Sequence, residues 1–319
     1  MSTTDAGLID VPSAESTYRT VDGVDLHVVT AGDPGDPLVV LLHGFPDFWY
    51  GWRHQIPALV EAGFRVLVPD QRGYNLSDSP RDLSAYRMGR LSGDVAALVA
   101  SEGENRESAH VVGHDWGAGV AWDLSLRYPD VVDRLGIVNV PHPTVMERTL
   151  KTDPRQLLRS WYMFYFQLPG LPEWFLSRDD AAGVASVLES SSSPGAFTDT
   201  DLRNYRRAYR RPGAGRGPVN WYRALFRRRD DPPRERVEAP TLVVWGDRDD
   251  ALLPEMADRS LDYCADGRLE RFPHASHWVH REEPERVNEV LLAHLEAGDE
   301  DGGRDEDGGR DENGDESEV

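Results

Sequence analysis

Short apolar runs alternate with segments in which apolar residues recur at helical spacing, and this pattern extends from residue 26 to residue 296. The alternation is typical of βαβ units and predicts an α/β fold with a mostly parallel sheet flanked by helices. We expect strands at Leu26–Thr30, Leu38–Leu42, Arg65–Val68, His110–Gly113, Leu135–Val140, Thr241–Trp245 and Leu269–Phe272. We expect helices at Trp52–Glu61, Leu91–Glu102, Ala118–Arg127, Glu255–Tyr263 and Pro284–Glu296.

The alternation is interrupted between His142 and Arg236 by a segment rich in arginine and aromatic residues. This segment holds 13 of the chain's 29 aromatic residues in under a third of its length. An insertion of this size between two strands predicts a mainly helical cap domain over the carboxyl edge of the sheet, where open α/β sheets bind their ligands. We expect most of the aromatic side chains to form the core of that cap.

The two ends of the chain differ in composition from the region between them. The sequence DGGRDE occurs twice near the C-terminus, and from Asp299 onward there are 11 acidic residues against 2 arginines. A segment with so few apolar residues cannot offset its ordering entropy and is expected to be disordered. The predicted division is a flexible N-terminus at 1–17, an α/β core formed by 18–141 and 237–296, the cap at 142–236, and a disordered acidic tail at 297–319.

Charge and cysteine content restrict the class of protein. The chain of 319 residues has 56 acidic and 35 basic residues, a net charge of −21 that disfavours nucleic acids and anionic membranes as partners. Lys151 is the only lysine; an acidic, lysine-poor surface is typical of salt-loving archaea, and a GC-rich genome is the alternative explanation. The single cysteine, Cys264, excludes an internal disulfide. No signal peptide or membrane span is visible, so we expect a soluble cytoplasmic protein.

The strongest chemical motif is the sequence GHDWG at residues 113–117, between a predicted strand and a predicted helix. A glycine two residues before and two residues after a nucleophile is the pattern of a nucleophile elbow, here with Asp115 where serine is commoner. The glycines allow the strained turn and the close approach of helix to strand. The helix amino terminus then favours a carboxylate at position 115.

Two further residues follow in the chain order of an α/β-hydrolase: nucleophile, then acid, then histidine. Asp249 ends the sequence WGDRD after a predicted strand, and His277 follows the last predicted strand. The carboxylate would orient the histidine and stabilise its imidazolium form while the histidine takes a proton from water. We interpret Asp247 and Asp250 as helix caps, and His274 and His280 as ordinary surface or loop histidines.

The loop at His43-Gly44-Phe45-Pro46 follows the second predicted strand. In this arrangement the backbone N–H groups of Phe45 and Trp116 are expected to form an oxyanion hole. His43 itself is interpreted as a structural hydrogen-bonding residue.

Seven motifs of the chain resemble those of a known family: HGFPDFWYGWR (43–53), DQRGYNLSD (70–78), GHDWG (113–117), WYMFYFQLPG (161–170), NWYR (220–223), WGDRD (245–249) and HWVHREEP (277–284). On these motifs the chain resembles, over about residues 18–296, the soluble epoxide hydrolases of the α/β-hydrolase superfamily. The resemblance implies two cap tyrosines that bind and protonate the epoxide oxygen, at Tyr162 and Tyr222, and places Trp116 and Trp161 at the substrate. Asn75 and Ser276 stand where the family usually has glycine.

The reaction implied by this resemblance is hydrolysis of a small apolar epoxide to a vicinal diol, through an ester on Asp115, with no metal or organic cofactor. A haloalkane or haloacid dehalogenase with the same nucleophile is the alternative, since Trp116 partly fits a halide donor. A non-catalytic receptor or scaffold with this fold is a third possibility, but it would be expected to lack a triad residue. The substrate, its preferred enantiomer and the oligomeric state stay open.

Overall fold

The computed structural model describes residues 5–103, 106–227 and 230–297. Eight strands form one sheet in the order β1-β2-β4-β3-β5-β6-β7-β8; β2 pairs antiparallel with β1 and β4, and the remaining pairs are parallel. The α/β architecture is therefore confirmed. The strands are β1 (Glu15–Val21), β2 (Val24–Ala31), β3 (Leu38–Leu42), β4 (Arg65–Pro69), β5 (Ala109–His114), β6 (Val132–Val138), β7 (Thr241–Gly246) and β8 (Gly267–Phe272).

Helices connect the parallel strands and cover the sheet. Every residue of β3, β4 and β7 is buried, as is usual when a parallel sheet is covered on both faces. The helix α1 packs on α12, and α2 packs on α3. The helices outside the cap segment are α1 (Gln55–Glu61), α2 (Met88–Ala100), α3 (Trp116–Arg127), α10 (Glu255–Leu261), α11 (Val279–Glu282) and α12 (Pro284–Glu296).

Residues 142–236, hereafter the insertion, contain helices and no strand among their described residues. This agrees with the predicted helical character of the segment. The helix α7 is interrupted at Asp179–Ala181, where three residues have positive φ. The helices of the insertion are α4 (Pro143–Thr152), α5 (Pro154–Arg159), α6 (Trp161–Tyr165), α7 (Leu171–Ser190), α8 (Asp199–Tyr209) and α9 (Arg216–Leu225).

The N-terminal part of the chain differs from the prediction. Residues 1–17 were expected to be flexible, but Asp5–Leu8 form a 3-10 turn and β1 begins at Glu15. A two-residue turn at Asp22-Gly23, with φ of 49° and 72°, joins β1 to β2 as a hairpin. Asp-Gly is a strong hairpin signal, but β1 lies at the sheet edge with mostly exposed side chains, so its apolar periodicity is weak.

All seven predicted strands are present, with boundaries shifted by up to three residues at either end. The predicted helix Trp52–Glu61 is divided, since a 3-10 turn covers Trp49–Trp52 and α1 starts only at Gln55. Asn75 has a φ of 39°, the left-handed conformation that makes asparagine an acceptable replacement for glycine. The acidic tail, apart from Ala297, lies outside the described residues.

Candidate active site

The turn between β5 and α3 holds Asp115 in a strained backbone conformation, with φ 51° and ψ −124°. Positive φ is rare for a residue with a side chain, and such strain is concentrated at functional sites. Two glycines are required beside this turn. A Cβ atom at Gly117 would overlap the backbone of Leu42, and one at Gly44 would overlap the side chain of Asp115. The predicted elbow is therefore present.

The carboxylate of Asp115 has a different partner for each oxygen. The backbone N–H of Phe45 donates to Oδ1 over 2.6 Å, and His277 Nε2 lies 3.4 Å from Oδ2. Burial raises the pKa of Asp115, but the hydrogen bond and charge of His277 outweigh it and hold the pKa below its usual value. Asp115 is thus ionised at neutral pH, with one oxygen anchored and the other facing the histidine.

His277 and Asp249 form a buried pair, with His277 Nδ1 and Asp249 Oδ2 2.7 Å apart. Asp249 Oδ1 accepts the backbone N–H groups of Ala251 at 2.7 Å and Leu252 at 3.0 Å, so the carboxylate is fixed from both sides. Burial lowers the pKa of His277, but the charges of Asp249 and Asp115 overcome this and raise it to about 10. The resting site therefore contains an imidazolium between two carboxylates.

Asn139 is a part of this site that motif analysis did not assign. It follows β6, and its Nδ2 donates to Asp249 Oδ2 over 2.8 Å while its Oδ1 accepts from Gly246 N over 2.8 Å. Because β6 and β7 are parallel neighbours, the residues after them meet at the same sheet edge. The available signal was therefore positional: a polar residue directly after the strand that pairs with β7.

Tyr162 and Tyr222 reach the same site from the insertion, on α6 and α9. Their ring centroids are 5.9 Å apart, and Tyr222 contacts Phe45 at 5.4 Å and Trp116 at 5.0 Å. Burial, followed by the charge of Asp115, raises the pKa of both phenols above the usual value near 10. Both hydroxyl groups therefore keep their protons at neutral pH.

Trp116 and Trp161 were both expected at the substrate, and the structure separates them. Trp116 is half-buried against Tyr222, and its side chain hydrogen-bonds to the Tyr222 hydroxyl. Trp161 is 64% exposed, and its ring lies 6.2 Å from that of Tyr165. Successive helical residues point about 100° apart, so only one of Trp161 and Tyr162 can face the nucleophile. The role of Trp161 as a substrate contact therefore stays a prediction.

His280 was interpreted as an ordinary surface or loop histidine, but it is fully buried. Its ring lies 4.3 Å from that of His114, which shares a 2.9 Å hydrogen bond with the backbone oxygen of His277. Burial lowers the pKa of both imidazoles, to about 3 for His114. His280 belongs to α11 and lies on the side of that helix that is buried in the protein, whereas His274 is exposed as expected.

Buried donor atoms of Asp47, His114 and His280 lie within 4.8 Å of one another, a spacing that a metal ion could in principle bridge. The charges of Arg281 and Arg53 contribute to the lowered pKa of His280. The same positive charge opposes a divalent cation, so this cluster is a poor metal site.

His43 accepts a hydrogen bond from Gln71 N over 3.0 Å, in keeping with its interpretation as a structural residue.

A family model of the alpha/beta hydrolase fold matches residues 37–284. The chain belongs to this family. A similar protein, AB hydrolase superfamily protein YfhM of Bacillus subtilis, is 42% identical over 280 residues, covering 87% of this chain and 96% of that protein. The similar proteins within the family include several epoxide hydrolases. Epoxide hydrolase 1 of Caenorhabditis elegans is 37% identical, covering 88% of this chain and 70% of that protein.

Solved structures that are similar to this chain also include epoxide hydrolases. The crystal structure of Bacillus megaterium epoxide hydrolase in complex with an inhibitor is 32% identical, with a TM-score of 0.79, and covers 88% of this chain and 99% of that chain. The resemblance to the epoxide hydrolases of the α/β-hydrolase superfamily is therefore confirmed, and with it the expectation of a hydrolase.

Proposed function

We propose that this protein hydrolyses small apolar epoxides to vicinal diols through a covalent ester on Asp115. The observation that carries the proposal is the convergence of an ionised carboxylate, a histidine-carboxylate pair and two protonated phenols at one sheet edge. The similar proteins named epoxide hydrolases support the same substrate class.

In the first step, Asp115 Oδ2 attacks an epoxide carbon while the N–H of Phe45 holds Oδ1. The ring C–O bond breaks, and the electron pair stays on the epoxide oxygen as an alkoxide. This leaving group is strongly basic, so it requires a proton donor. Tyr162 and Tyr222 are the donors within the site, and the loss of the Asp115 charge on ester formation removes one cause of their raised pKa.

In the second step, water attacks the carbonyl carbon of the Asp115 ester, and His277 takes the proton from that water. The resting imidazolium cannot act as a base, but esterification removes the Asp115 charge that helps to raise its pKa, and the imidazolium then gives its proton through solvent to the phenolate that the first step leaves. The N–H groups of Phe45 and Trp116 are proposed to stabilise the resulting oxyanion. The C–O bond of the ester breaks, and the new carboxyl O–H of Asp115 gives its proton to the departing alkoxide. The diol leaves, and the site returns to an Asp115 carboxylate, a His277 imidazolium and two protonated tyrosines.

Dehalogenation is the competing function with this nucleophile. A halide would need a donor such as the Trp116 indole N–H, but that side chain is bonded to the Tyr222 hydroxyl. The bond leaves the Tyr222 proton free to be donated toward an epoxide oxygen. This arrangement favours the epoxide as the substrate.

Turnover of styrene oxide and of a bromoalkane by the same preparation distinguishes the two functions, with diol and bromide as readouts. We expect diol formation, and bromide release without diol formation would overturn the proposal. A single turnover in ¹⁸O-water tests the ester: the first diol should carry unlabelled oxygen from Asp115. Full labelling of the first diol would indicate direct attack by water. Asp115→Ala is the control for activity from contaminants.

A further inference from the structure

The insertion carries an unusual number of exposed apolar side chains. Among the described residues, nine of the eleven large apolar side chains that are exposed lie in the insertion. Soluble proteins seldom expose large contiguous apolar patches unless the patch contacts another surface. The nine residues are Leu157, Leu158, Trp161, Phe164, Leu168, Leu171, Trp174, Leu225 and Phe226.

Two sets of ring contacts involve these side chains. Phe164 on α6 contacts Phe226 after α9, with ring centroids 5.8 Å apart. Trp161 contacts Tyr165 at 6.2 Å, and Tyr165 in turn contacts Phe175 on α7 at 6.5 Å. We name the surface that carries these side chains, together with Trp174, Arg178 and Arg227, the aromatic face.

The exposed charged side chains named at the aromatic face are positive. Arg178 lies over the ring of Trp174 at 5.2 Å, and both Arg178 and Arg227 are exposed. The nearby acid Glu173 is already neutralised, because Arg223 binds both of its oxygens at 2.5 and 3.1 Å. Asp180 pairs with Arg206 at 2.9 Å, and Asp179 follows Arg178 in the chain.

The basic character extends over the whole insertion. Residues 142–236 contain 17 basic and 11 acidic residues, so the insertion carries +6 and the remainder of the chain −27. The net charge of −21 disfavours an anionic membrane as a partner only where that charge is spread evenly over the surface. Because charges beyond about 10 Å are screened at 0.1 M salt, a surface responds mainly to the part of the protein that faces it.

We propose that the aromatic face docks on an anionic lipid bilayer. Exposed tryptophan and phenylalanine beside arginine are the combination that membrane-interface segments use, with the rings at the headgroup boundary and the cations at lipid phosphates. A second copy of the chain fits less well, because a symmetric contact through this face would bring the same arginines together. Docking would hold α6, which carries Tyr162, next to the phase in which apolar molecules concentrate.

The test is flotation of the full-length protein with vesicles of phosphatidylcholine alone or of phosphatidylcholine with 30% phosphatidylglycerol, a composition chosen for the assay. We expect binding to the anionic vesicles that falls as salt is raised from about 0.05 to 0.5 M. The variant Trp174→Ala/Phe226→Ala should lose most of this binding, at least about tenfold. Arg178→Glu/Arg227→Glu should lose it as well.

The matched control is Tyr18→Ala/Tyr128→Ala, which removes two exposed aromatic side chains from outside the insertion and should bind like the unaltered protein. Circular dichroism confirms that each variant is folded, and the lipid assay does not depend on the epoxide chemistry. Absence of binding by the unaltered protein, or equal loss in the control, would overturn the proposal. Light scattering that shows a dimer broken by Trp174→Ala/Phe226→Ala, without any vesicle binding, would assign the face to a second copy.

Discussion

Asn139 and Asp249 lie at the ends of neighbouring strands, and the amide of Asn139 donates to the Asp249 oxygen that also contacts His277. The acid is therefore held in its orientation by a residue 110 positions earlier in the chain. Asn139 in turn is fixed through the backbone N–H of Gly246. The orientation of the histidine depends on this connection between β6 and β7 as well as on the carboxylate.

The first prediction concerns this connection. Asp249→Asn should slow hydrolysis of the ester by about 10²-fold or more, because the imidazolium loses its carboxylate partner. Adding Asn139→Asp to Asp249→Asn should restore part of the rate, since a carboxylate returns within reach of His277. Rapid-quench measurement of diol release reports the hydrolysis rate. No difference between the single and the double variant would show that position 139 cannot support the histidine.

The second prediction separates the two chemical steps. His277→Gln should still form the ester on Asp115 but hydrolyse it very slowly, because no base remains to activate water. An adduct with the mass of the epoxide should then accumulate on the peptide that contains residues 113–117. Mass spectrometry of the digested protein detects it, with Asp115→Ala as the control that cannot form the adduct. An unmodified peptide in His277→Gln would contradict the proposed order of steps.

The third prediction concerns the tyrosines as a pair. Tyr162→Phe and Tyr222→Phe should each slow ester formation by on the order of 10²-fold, since one proton donor remains. The double variant should nearly abolish ring opening. Tyr165→Phe, a neighbouring tyrosine of α6, is the matched control and should react at the normal rate. Ring opening at the normal rate in the double variant would mean that the epoxide oxygen is bound elsewhere, which would favour the dehalogenase.

Much of this site could be predicted from the sequence because its positions carry strong local signals. Glycines two residues before and after Asp115 define a strained turn that few other structures require, and the strand preceding Asp249 is short and apolar. The burial of His280 could not be predicted, because it depends on how α11 returns against the core. Trp161 and Tyr162 are adjacent in one aromatic run, and only the rotation of α6 decides which of them faces Asp115.

The fourth prediction concerns pH. The pKa of His277 is raised in the folded state, so this residue contributes stability that is complete below about 6.5 and is lost as pH rises through about 10. The pKa values of Asp115 and Asp249 are lowered in the folded state. The stability that these two carboxylates contribute is therefore lost as pH falls through their folded-state pKa values. Titration of the His277 ring by NMR should show a clearly lower pKa in Asp115→Asn. An unchanged pKa would exclude Asp115 as a cause of the shift.

The fifth prediction concerns the acidic tail, whose sequence contains no aromatic residue and no base suited to the reaction. Removal of residues 297–319 should leave turnover unchanged and alter solubility, with a different effect at low and at molar salt because salt screens the repulsion among its carboxylates. Turnover and solubility of the shortened protein are compared with those of the full chain. Lost turnover in a soluble, folded protein would mean that the tail reaches the active site.

The two tyrosines belong to the insertion, whereas Asp115, Asp249 and His277 belong to the segments on either side of it. In the proposed mechanism the acid that opens the ring and the apparatus that cleaves the ester are therefore carried by separable stretches of one chain. Replacement of the insertion by a segment with other donors would change which leaving group can depart, without rebuilding the hydrolytic step. The fold can in this way acquire a new first reaction while it retains the second.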